Sequence, residues 1–262
     1  MLAIERKTDI LNLLKQNGYV KVSELSRRFN VTDETIRRDL EKLERDGFAI
    51  KSHGGAVINE TTGIEFPFNT RMKQNIEGKQ LIAEIIAGMI MDGSQITLDA
   101  SSTSVFVAKA LKKKQKLTAI TNSMEIAVEL ADKPDIELIS IGGQLESRYL
   151  AFTGPKAVRF IGEYNPDIAV ISCKGFDIER GAMDSSDSIA ATKQAMIASA
   201  NFVILAADQR KFGKRALCRL CGLNDLDCIV TDEDPGEGWK DYLMESGVEC
   251  IYPGKQRKEH RN

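Results

Sequence analysis

Residues 31–40 read Val-Thr-Asp-Glu-Thr-Ile-Arg-Arg-Asp-Leu, and this stretch decides the fold of the N-terminal part of the chain. Thr32 is a residue type that caps helix N-termini, and apolar residues follow it at helical spacing. The pattern predicts a helix that begins directly after Thr32, runs to about Asp46 and is stopped by Gly47. We expect its solvent face to expose Thr32, Glu34, Thr35, Arg37, Arg38 and Lys42.

Two further helical elements lead into this helix. The apolar spacing predicts a first helix that ends near Asn17-Gly18, where glycine is a natural stop. An extended piece at 19–22 precedes a second helix at 24–29, and Asn30-Val31 forms the turn before Thr32. Two helices joined by a tight turn form the helix-turn-helix layout, in which the second helix lies in the major groove of DNA.

This layout assigns two kinds of DNA contact. In the major groove, Arg can pair with guanine through two hydrogen bonds, and Thr can touch the methyl group of thymine. We therefore expect base contacts from the solvent face of the third helix, which carries Thr32, Glu34, Thr35, Arg37, Arg38 and Lys42. Phosphate contacts position a protein without specifying sequence, and we expect them from Lys21, Arg27 and Arg28.

Residues 48–57 predict a β-hairpin wing after the third helix. Two short apolar pieces flank a polar turn that contains the paired glycines Gly54 and Gly55. Lys51 and His53 lie near the tip of this wing, from which they can reach the DNA backbone or the minor groove. The alternative is a three-helix protein-interaction module with a solvated charged face. The order of helix, helix, turn, arginine-bearing helix and glycine wing favours DNA binding.

Length and composition limit the class of protein. A chain of 262 residues suggests two domains, and 42% hydrophobic with 28% charged residues is typical of a soluble globular protein. No apolar run approaches the roughly 18–20 residues of a membrane helix, and residues 1–9 lack the apolar stretch of a signal peptide. We therefore expect a cytoplasmic protein with no membrane partner. Residues 1–58 hold eleven Lys or Arg against nine Asp or Glu, which permits a DNA-binding head.

The cysteines and histidines argue against disulfide and metal chemistry. Five cysteines are an odd number, and they are scattered along the chain. Cys218 and Cys221 form one Cys-x-x-Cys pair, but a structural zinc site needs two more ligands at similar spacing. His53 and His260 are the only histidines. We expect the cysteines to be small core residues, and we expect neither a metal nor a cofactor.

The rest of the chain is predicted as a linker, a larger domain and a tail. Residues 59–75 lack clear periodicity and form the linker, whereas the basic segment 255–262 is a frayed, solvated end. Residues 76–254 alternate strands with helices, which predicts an α/β domain with a mainly parallel, doubly wound sheet. The predicted strands are 95–98, 117–120, 136–141, 168–172, 202–207, 229–231 and 248–251. The predicted helices are 81–91, 104–111, 123–130, 154–160 and 189–200.

Polar residues follow five of these strands. Because ligands of doubly wound sheets bind beyond the carboxyl ends of the strands, these residues should meet at one rim. They are Asp99, Ser101, Ser102 and Thr103; Thr121 and Asn122; Gly142 and Gly143; Lys174; and Asp208, Arg210 and Lys211. The loop 99–103 opens a helix, where hydroxyl and N–H groups bind phosphate well, and Lys211 adds positive charge. The alternative is that Ser101 to Thr103 only cap the helix, but five converging polar strand ends favour a pocket for an anionic ligand.

Several motifs resemble those of the DeoR-type bacterial regulators. They are Val31-Thr32-x-x-Thr35-Ile36-Arg37-Arg38-Asp39-Leu40, Leu43-Glu44-x-x-Gly47 and His53-Gly54-Gly55-Ala56, preceded by Arg6, Ile10 and Val22-x-x-Leu25. The resemblance continues downstream and covers nearly the whole chain. It implies an effector domain related to the ribose-phosphate isomerase and sugar-phosphate deaminase folds.

The resemblance also implies that the effector is a phosphorylated sugar or sugar derivative. It places the phosphate at Ser101, Ser102 and Thr103. It lines the pocket with Asp99, Thr121, Asn122, Gly142 and Gly143, and it turns Lys193, Asp208 and Lys211 towards the ligand. The family often has Gly where this chain has Ser101 and Ser where it has Arg210, so the identity of the effector stays open.

The function expected from these features is a ligand-controlled repressor of a carbohydrate-catabolism operon. A dimer or tetramer would present paired recognition helices to a two-fold operator in double-stranded DNA, and the ligand would favour the state that releases DNA. An activator would have the same sequence features, so that alternative stays open.

A sugar-phosphate isomerase with a DNA-binding head is a second alternative. Isomerisation needs a carboxylate base beside the substrate carbon. The available carboxylates are those of Asp99, Asp177, Asp184 and Asp187, but no set of them matches the catalytic motif of the related isomerases. We therefore predict a regulator without catalytic residues.

Overall fold

The computed structural model describes residues 2–46, 48–58 and 68–254, and the chain divides into two compact units between Gln74 and Asn75. The predicted helix stop at Gly47, most of the predicted linker and the basic tail lie outside the described residues. The domain limits proposed from the sequence therefore stay predictions. The described end of the linker contains a helix, Phe68–Lys73, that the sequence did not predict.

The described residues of the first unit form helices around a small antiparallel sheet. Their elements are α1 (Ala3–Asn17), β1 (Tyr19–Lys21), α2 (Val22–Phe29), α3 (Asp33–Arg45), β2 (Ala49–Ser52), β3 (Gly55–Ile58) and α4 (Phe68–Lys73). The strands lie in the order β1-β3-β2, so β2 and β3 form the predicted wing. The second helix starts at Val22, two residues before the predicted start, because the extended piece already ends at Lys21.

Local signals fix the limits of these elements. Gly18 ends α1 in the left-handed conformation with φ 76°, as a C-terminal glycine commonly does. Thr32 Oγ1 accepts a hydrogen bond from Thr35 N at 3.3 Å, which confirms the predicted cap of α3. Gly55 lets the wing approach β1, since a Cβ at this position would lie 2.0 Å from the carbonyl oxygen of Val20.

The apolar faces of α1, α2 and α3 pack together against the sheet. The buried side chains of this core include Ile10, Leu14, Val22, Leu25, Ile36, Leu40, Leu43, Ala49, Ala56 and Ile58. One buried ion pair links α1 to α3, because Arg6 Nε lies 2.6 Å from Asp39 Oδ2. Removing one partner of such a pair leaves an uncompensated charge in the interior, which is strongly destabilising.

The second unit contains the predicted α/β domain. Its helices are α5 (Ile76–Met89), α6 (Ser102–Leu111), α7 (Met124–Leu130), α8 (Pro155–Ile161), α9 (Asp187–Ser199) and α10 (Glu237–Glu245). Its first strands are β4 (Gln95–Leu98), β5 (Leu117–Thr121), β6 (Ile136–Ser140), β7 (Gln144–Glu146), β8 (Ala151–Thr153) and β9 (Ile168–Ile171). The later strands are β10 (Gly175–Asp177), β11 (Gly181–Asp184), β12 (Phe202–Ala206), β13 (Cys218–Cys221), β14 (Cys228–Val230) and β15 (Glu249–Ile251).

Seven of these strands form one parallel sheet in the order β15-β14-β12-β9-β4-β5-β6. The central strands β9 and β12 are apolar throughout and largely buried, as expected for a sheet that helices cover on both faces. Each strand and each helix predicted for this domain overlaps an observed one. The predicted doubly wound α/β fold is therefore confirmed.

Three features of the second unit were not predicted from the sequence. They are the β7–β8 hairpin, the antiparallel sheet β10-β11-β13 and the helix α10. Strands of three or four residues are too short to give a clear period-2 pattern. Aromatic packing holds α10 against β10, because the ring of Trp239 lies 5.3 Å from that of Phe176 and 5.0 Å from that of Phe212.

The cysteines are core residues, as the sequence predicts. All five are buried, and none forms a disulfide. Burial raises the pKa of the Cys173 thiol to about 11, which keeps it protonated and unreactive near neutral pH. In the part of the chain that the structure describes, no three His, Cys, Asp or Glu side chains are grouped to hold a metal ion. Within the same residues, no helix has the length and apolar character needed to cross a membrane.

Candidate DNA interface and effector site

The solvent face of α3 presents the cationic side chains expected of a recognition helix. Arg37 and Lys42 are exposed and have no ion-pair partner among the described residues. Arg38 Nε lies 3.3 Å from Glu34 Oε1, and both side chains are mostly exposed. An exposed pair of this kind contributes little to stability, so Arg38 can exchange Glu34 for another anion at little cost. Thr32 and Thr35 share a hydrogen bond of 2.9 Å between their hydroxyl groups, at the start of the helix.

The other predicted DNA contacts lie on β1, α2 and the wing, and they differ in the protein contacts that already hold them. Arg28 is exposed, whereas Arg27 Nε donates to the carbonyl oxygen of Ser23 at 3.0 Å. Lys21 Nζ lies 3.5 Å from Glu24 on the surface. Exposed His53 occupies the turn of the wing, next to Gly54 with φ 84°.

Lys51 points back to the recognition helix. Its Nζ atom lies 2.9 Å from Glu41 Oε1, and its backbone N–H donates to Glu44 Oε1 at 2.8 Å. The Lys51 ammonium lowers the pKa of the Glu41 carboxyl through a hydrogen bond and through charge. Lys51 therefore braces the wing against α3, and a contact with phosphate requires it to leave Glu41.

In the second unit, the polar residues that follow β4, β9 and β12 meet at the carboxyl edge of the parallel sheet. The connecting residue is Ser172, whose N–H donates to Asp99 Oδ2 at 3.0 Å. Its hydroxyl donates to the carbonyl oxygen of Ala206 and accepts from Lys211 Nζ, each at 2.7 Å. One serine thus links the loop after β4 to the turn that carries Lys211.

Asp99 is completely buried and acts as the anchor of the loop after β4. Its Oδ1 atom accepts hydrogen bonds from the Ser104 hydroxyl and from Ser101 N, and its Oδ2 atom lies 2.9 Å from Lys193 Nζ. Burial alone would raise the pKa of Asp99, but the charge of Lys193 and these hydrogen bonds outweigh burial and lower it. The carboxylate therefore stays ionised, and both of its oxygens are engaged within the protein.

Lys193 lies beside Asp99, but its donors are already used. Its ammonium donates to Asp184 Oδ2 and to the carbonyl oxygen of Ser172, each at 2.7 Å, and lies 2.9 Å from Asp99 Oδ2. Burial would lower the pKa of Lys193, but Asp184 and Asp99 raise it above its ordinary value. Since an ammonium group has three donors, we interpret Lys193 as a buried brace of the site.

Lys211 and Arg210 surround the buried carboxylate of Asp208. Arg210 Nε donates to Asp208 Oδ1 at 3.0 Å, and Lys211 Nζ lies 3.9 Å from Asp208 Oδ2. Burial would raise the pKa of Asp208, but the charges of Lys211, Arg210 and Lys79 lower it. Lys79 lies on α5 and is 3% exposed, and the sequence analysis did not select it because it falls within a helix pattern. Three cations therefore lie around this one carboxylate.

The start of α6 provides hydrogen-bond donors that the described protein leaves unused. Ser101 caps the helix, because its hydroxyl accepts from Ser104 N at 3.0 Å, so the capping interpretation holds for this residue. The backbone N–H groups of Ser102 and Thr103, at the first two positions of α6, have no hydrogen-bond acceptor among the described residues. The Thr103 hydroxyl is also buried without a hydrogen-bond partner.

The two polar residues at the end of β5 differ in whether their side-chain groups already have hydrogen-bond partners. Thr121 Oγ1 donates to the carbonyl oxygen of Leu98 at 2.8 Å and accepts from Ser123 N, so its hydroxyl is occupied. Asn122 Nδ2 donates to the carbonyl oxygen of Phe152 at 2.9 Å, whereas the buried Asn122 Oδ1 has no partner.

The remaining predicted pocket residues are the two glycines after β6 and Lys174. Gly142 has open space around the position of a Cβ, but a Cβ at Gly143 would lie 2.5 Å from the carbonyl oxygen of Thr153. Lys174 follows β9, and its backbone N–H donates to the carbonyl oxygen of Met183 at 2.8 Å. Gly143 therefore lets the chain after β6 pass close to the hairpin strand β8.

The four carboxylates considered for an isomerase are held by protein groups. Asp99 and Asp184 both bind Lys193. Asp177 Oδ2 accepts from Arg215 Nε at 3.0 Å, and Asp187 Oδ1 accepts from the Cys218 thiol at 3.0 Å. The arrangement is suited to binding an anion with hydroxyl groups, and it offers no unengaged base among these four.

A winged helix-turn-helix unit joined to an α/β unit with these polar groups at its sheet edge defines a class of DNA-binding regulators that respond to a ligand. Comparison with known families agrees with this class. Residues 6–62 match the DeoR-like helix-turn-helix domain, and residues 74–233 match the DeoR C terminal sensor domain. The chain belongs to the DeoR family of transcriptional regulators, which confirms the resemblance found in the sequence.

Curated relatives match over almost the full chain. An uncharacterized HTH-type transcriptional regulator, YulB of Bacillus subtilis, is 41% identical over 88% of this chain and 90% of its own length. The glycerol-3-phosphate regulon repressor of Escherichia coli is 32% identical over 90% of this chain and 93% of its own length. These relatives are regulators, so the prediction of a regulator holds over that of an enzyme.

Among solved structures, ribose 5-phosphate isomerase A of Methanocaldococcus jannaschii is similar to part of the chain. The TM-score is 0.41 at 17% identity, and the similarity covers 54% of this chain and 56% of that one.

Proposed function

We propose that the protein is a repressor whose affinity for its operator falls when a phosphorylated sugar or polyol binds the α/β unit. The observation that carries this proposal is the unused donor set at the start of α6, which consists of the N–H groups of Ser102 and Thr103 and the Thr103 hydroxyl. N–H groups at a helix start point towards a bound anion, and the helix dipole favours negative charge there. Lys211 adds a cation, since it shares Ser172 with the carboxylate that anchors this loop.

The unused acceptor at Asn122 supports a ligand that also carries hydroxyl groups. Asn122 is 3% exposed, and its Oδ1 atom lacks a donor. A buried acceptor without a partner costs about 1–3 kcal/mol, so a ligand hydroxyl at this position would be favoured. Inorganic phosphate satisfies the donors of α6, whereas a sugar or polyol phosphate satisfies the donors and this acceptor.

The relatives and the recognition helix support repression through DNA binding. One relative is named a glycerol-3-phosphate regulon repressor, and another, GlcR of Bacillus subtilis, is named an HTH-type transcriptional repressor. We propose that Thr32, Glu34, Thr35, Arg37, Arg38 and Lys42 meet base edges. We propose that Lys21, Arg27, Arg28, Lys51 and His53 meet the backbone or the minor groove.

We further propose that the protein acts in the cytoplasm as a dimer or tetramer. Recognition helices on two chains would then occupy half-sites one helical turn of DNA apart, on an operator with two-fold symmetry. Sedimentation of the purified chain at several concentrations tests this proposal, and a monomer at every concentration that supports operator binding contradicts it.

Thermal unfolding with a panel of ligands tests the effector class. The panel contains glycerol 3-phosphate, glucose 6-phosphate, fructose 6-phosphate and ribose 5-phosphate, with the unphosphorylated compounds and inorganic phosphate as controls. A ligand at 100 times its Kd stabilises the folded state by about 2.7 kcal/mol. We expect one phosphorylated compound to raise the melting temperature and to weaken operator binding, whereas its unphosphorylated form does neither. Equal shifts with the unphosphorylated compound would contradict a phosphate site.

The variant Asn122→Leu tests the contact with the ligand hydroxyl separately from the contacts with the phosphate. It removes the acceptor and keeps a side chain of similar volume, so it should weaken the hydroxylated phosphate by about tenfold or more. Inorganic phosphate should bind the variant as it binds the wild type, because its contacts lie at α6. Equal losses for both ligands would place Asn122 outside the hydroxyl-binding end of the pocket.

A further inference from the structure

Asn75 lies between two helices, at the start of the second unit. α4 ends at Lys73 and α5 starts at Ile76, and between them Asn75 has a left-handed backbone with φ 46° and ψ 54°. Asn tolerates this conformation better than most residues, although a right-handed backbone is its more stable state. A residue with a left-handed backbone cannot lie within a right-handed α-helix, so Asn75 interrupts the helical conformation between α4 and α5.

The side chain of Asn75 is fixed by one buried carboxylate. Asn75 Nδ2 donates to Asp232 Oδ2 at 2.8 Å, and Asp232 is 7% exposed just beyond the carboxyl end of β14. The first turn of α5 makes room for this contact at Gly78. A Cβ at Gly78 would lie 2.2 Å from Asp232 Oδ2 and 2.4 Å from Asn75 Nδ2. The tether therefore depends on close packing of three particular residues.

The second oxygen of the same carboxylate holds the turn that carries Lys211. Asp232 Oδ1 accepts from Gln209 N at 2.8 Å, and Gln209 begins the single helical turn Gln209–Lys211. Lys211 Nζ in turn donates to Ser172 Oγ at 2.7 Å. An anion at the start of α6 would compete for this ammonium and would pull on a turn whose first N–H is bound to Asp232.

We propose that Asn75 and Asp232 are positioning residues that transmit ligand occupancy to the junction between the two units. The ligand draws Lys211 towards the phosphate, the turn Gln209–Lys211 moves with it, and the carboxylate of Asp232 shifts with the turn. Asn75 then loses its hydrogen bond and leaves the left-handed conformation, which changes the path of the chain into the DNA-binding unit. The inference rests on the proposed function, because it requires a phosphorylated ligand that weakens operator binding.

The test exchanges the two partners of the tether. In Asn75→Asp, two carboxylates face each other, so the tether is broken without loss of volume. In the double variant Asn75→Asp with Asp232→Asn, the new amide donates to the new carboxylate, and one hydrogen bond between the positions is restored. The matched control is Asn224→Asp, which adds the same charge at an exposed position of the same unit. Each full-length protein is assayed for the melting shift with the ligands of the panel and for operator Kd with and without them.

We expect the wild-type operator Kd to rise by about 5- to 150-fold with ligand, the usual range of allosteric coupling. Without ligand, Asn75→Asp should bind the operator as weakly as the liganded wild type does. Adding ligand should change its operator Kd by less than about twofold, while the melting shift with the same ligand stays at the wild-type value. The double variant should regain at least half of the wild-type ratio on a logarithmic scale, and Asn224→Asp should retain all of it.

Three results would overturn the inference. The first is a wild-type response in Asn75→Asp, the second is a double variant that responds no better than the single one, and the third is loss of the melting shift in Asn75→Asp. A wild-type protein that shows no melting shift with any phosphorylated ligand would instead refute the proposed function, and the inference with it. The wild-type arm alone identifies that case.

Discussion

The substitution Ser102→Pro tests the phosphate site by removing one backbone donor. Ser102 is the first residue of α6, behind the cap Ser101. Proline is favoured at this helix position, because its fixed φ suits the helix and its missing N–H has no partner within the helix. Ser101 has φ −87° and ψ 155°, an extended conformation that a following proline accepts. The helix should therefore form normally, and the donor that we propose to bind the phosphate is lost.

The expected loss follows from the charge of the ligand. A hydrogen bond to a charged group contributes about 1.5–3 kcal/mol, so the ligand should bind about 10- to 150-fold more weakly. At a concentration of 100 times the wild-type Kd, the stabilisation should fall from about 2.7 kcal/mol to about 0.3–1.4 kcal/mol. The melting temperature without ligand should be unchanged or slightly higher, because proline restricts the unfolded chain.

Thermal unfolding with and without ligand measures both quantities, and Ser102→Ala is the matched control. Alanine removes the hydroxyl and keeps the N–H, so its ligand response should be close to that of the wild type. Operator affinity without ligand should be the same in all three proteins. A full ligand-induced shift in Ser102→Pro would show that the phosphate does not use this N–H, and the reasoning from the helix start would fail.

Three further predictions concern the recognition helix, the core of the first unit and the buried carboxylate. Arg37→Ala should weaken operator binding by about 1–3 kcal/mol at fixed salt without changing the melting temperature; an unchanged operator Kd would remove Arg37 from the interface. Arg6→Ala should lower the free energy of unfolding by about 3–5 kcal/mol, and Arg6→Met with Asp39→Leu should recover most of it; equal losses in denaturant titrations would contradict a buried ion pair. Because the pKa of Asp99 is lowered from 3.8, its stabilisation is complete above this pH and is lost as the pH falls through the depressed pKa. Asp99→Asn should therefore flatten the pH dependence of stability below pH 3.8, and an unchanged acid limb would count against the buried pairing.

The fold could be predicted where the sequence repeats a pattern over enough residues. The apolar runs of β9 and β12 identify buried strands, and the cap Thr32 with the spacing behind it identifies α3. The antiparallel strands β10 and β11 were not predicted, because each has only three or four residues and contains both polar and apolar side chains. Helix starts were also less certain. α5 begins five residues before its predicted start at Leu81, because an asparagine without a side-chain cap precedes it.

The candidate site could be located from the sequence, but its available groups could not be identified. The rule that polar loops meet at the carboxyl edge of a parallel sheet brings Asp99, Thr121 and Asp208 to the correct edge. Which hydrogen bonds these groups make depends on distances between strands that are far apart in sequence. The Thr121 hydroxyl is hydrogen-bonded to the backbone of Leu98 and Ser123. The Thr103 hydroxyl and Asn122 Oδ1, in contrast, have no hydrogen-bond partner. The sequence does not distinguish Thr121 from Thr103 and Asn122, and only the structure separates them.

The buried network around Lys193 supports the proposal that this site binds a sugar phosphate without transforming it. A general base works best when its pKa lies near the working pH and when one oxygen is available to take a proton. Asp99 meets neither condition, because its pKa is lowered and its oxygens are bonded to Ser104, Ser172 and Lys193. The same bonds connect the loop after β4 to β9 and α9, so the donors at the start of α6 are held in position before the ligand arrives. The network therefore disfavours proton transfer by Asp99, and in the proposed mechanism the energy of ligand binding is used to move the turn that carries Lys211.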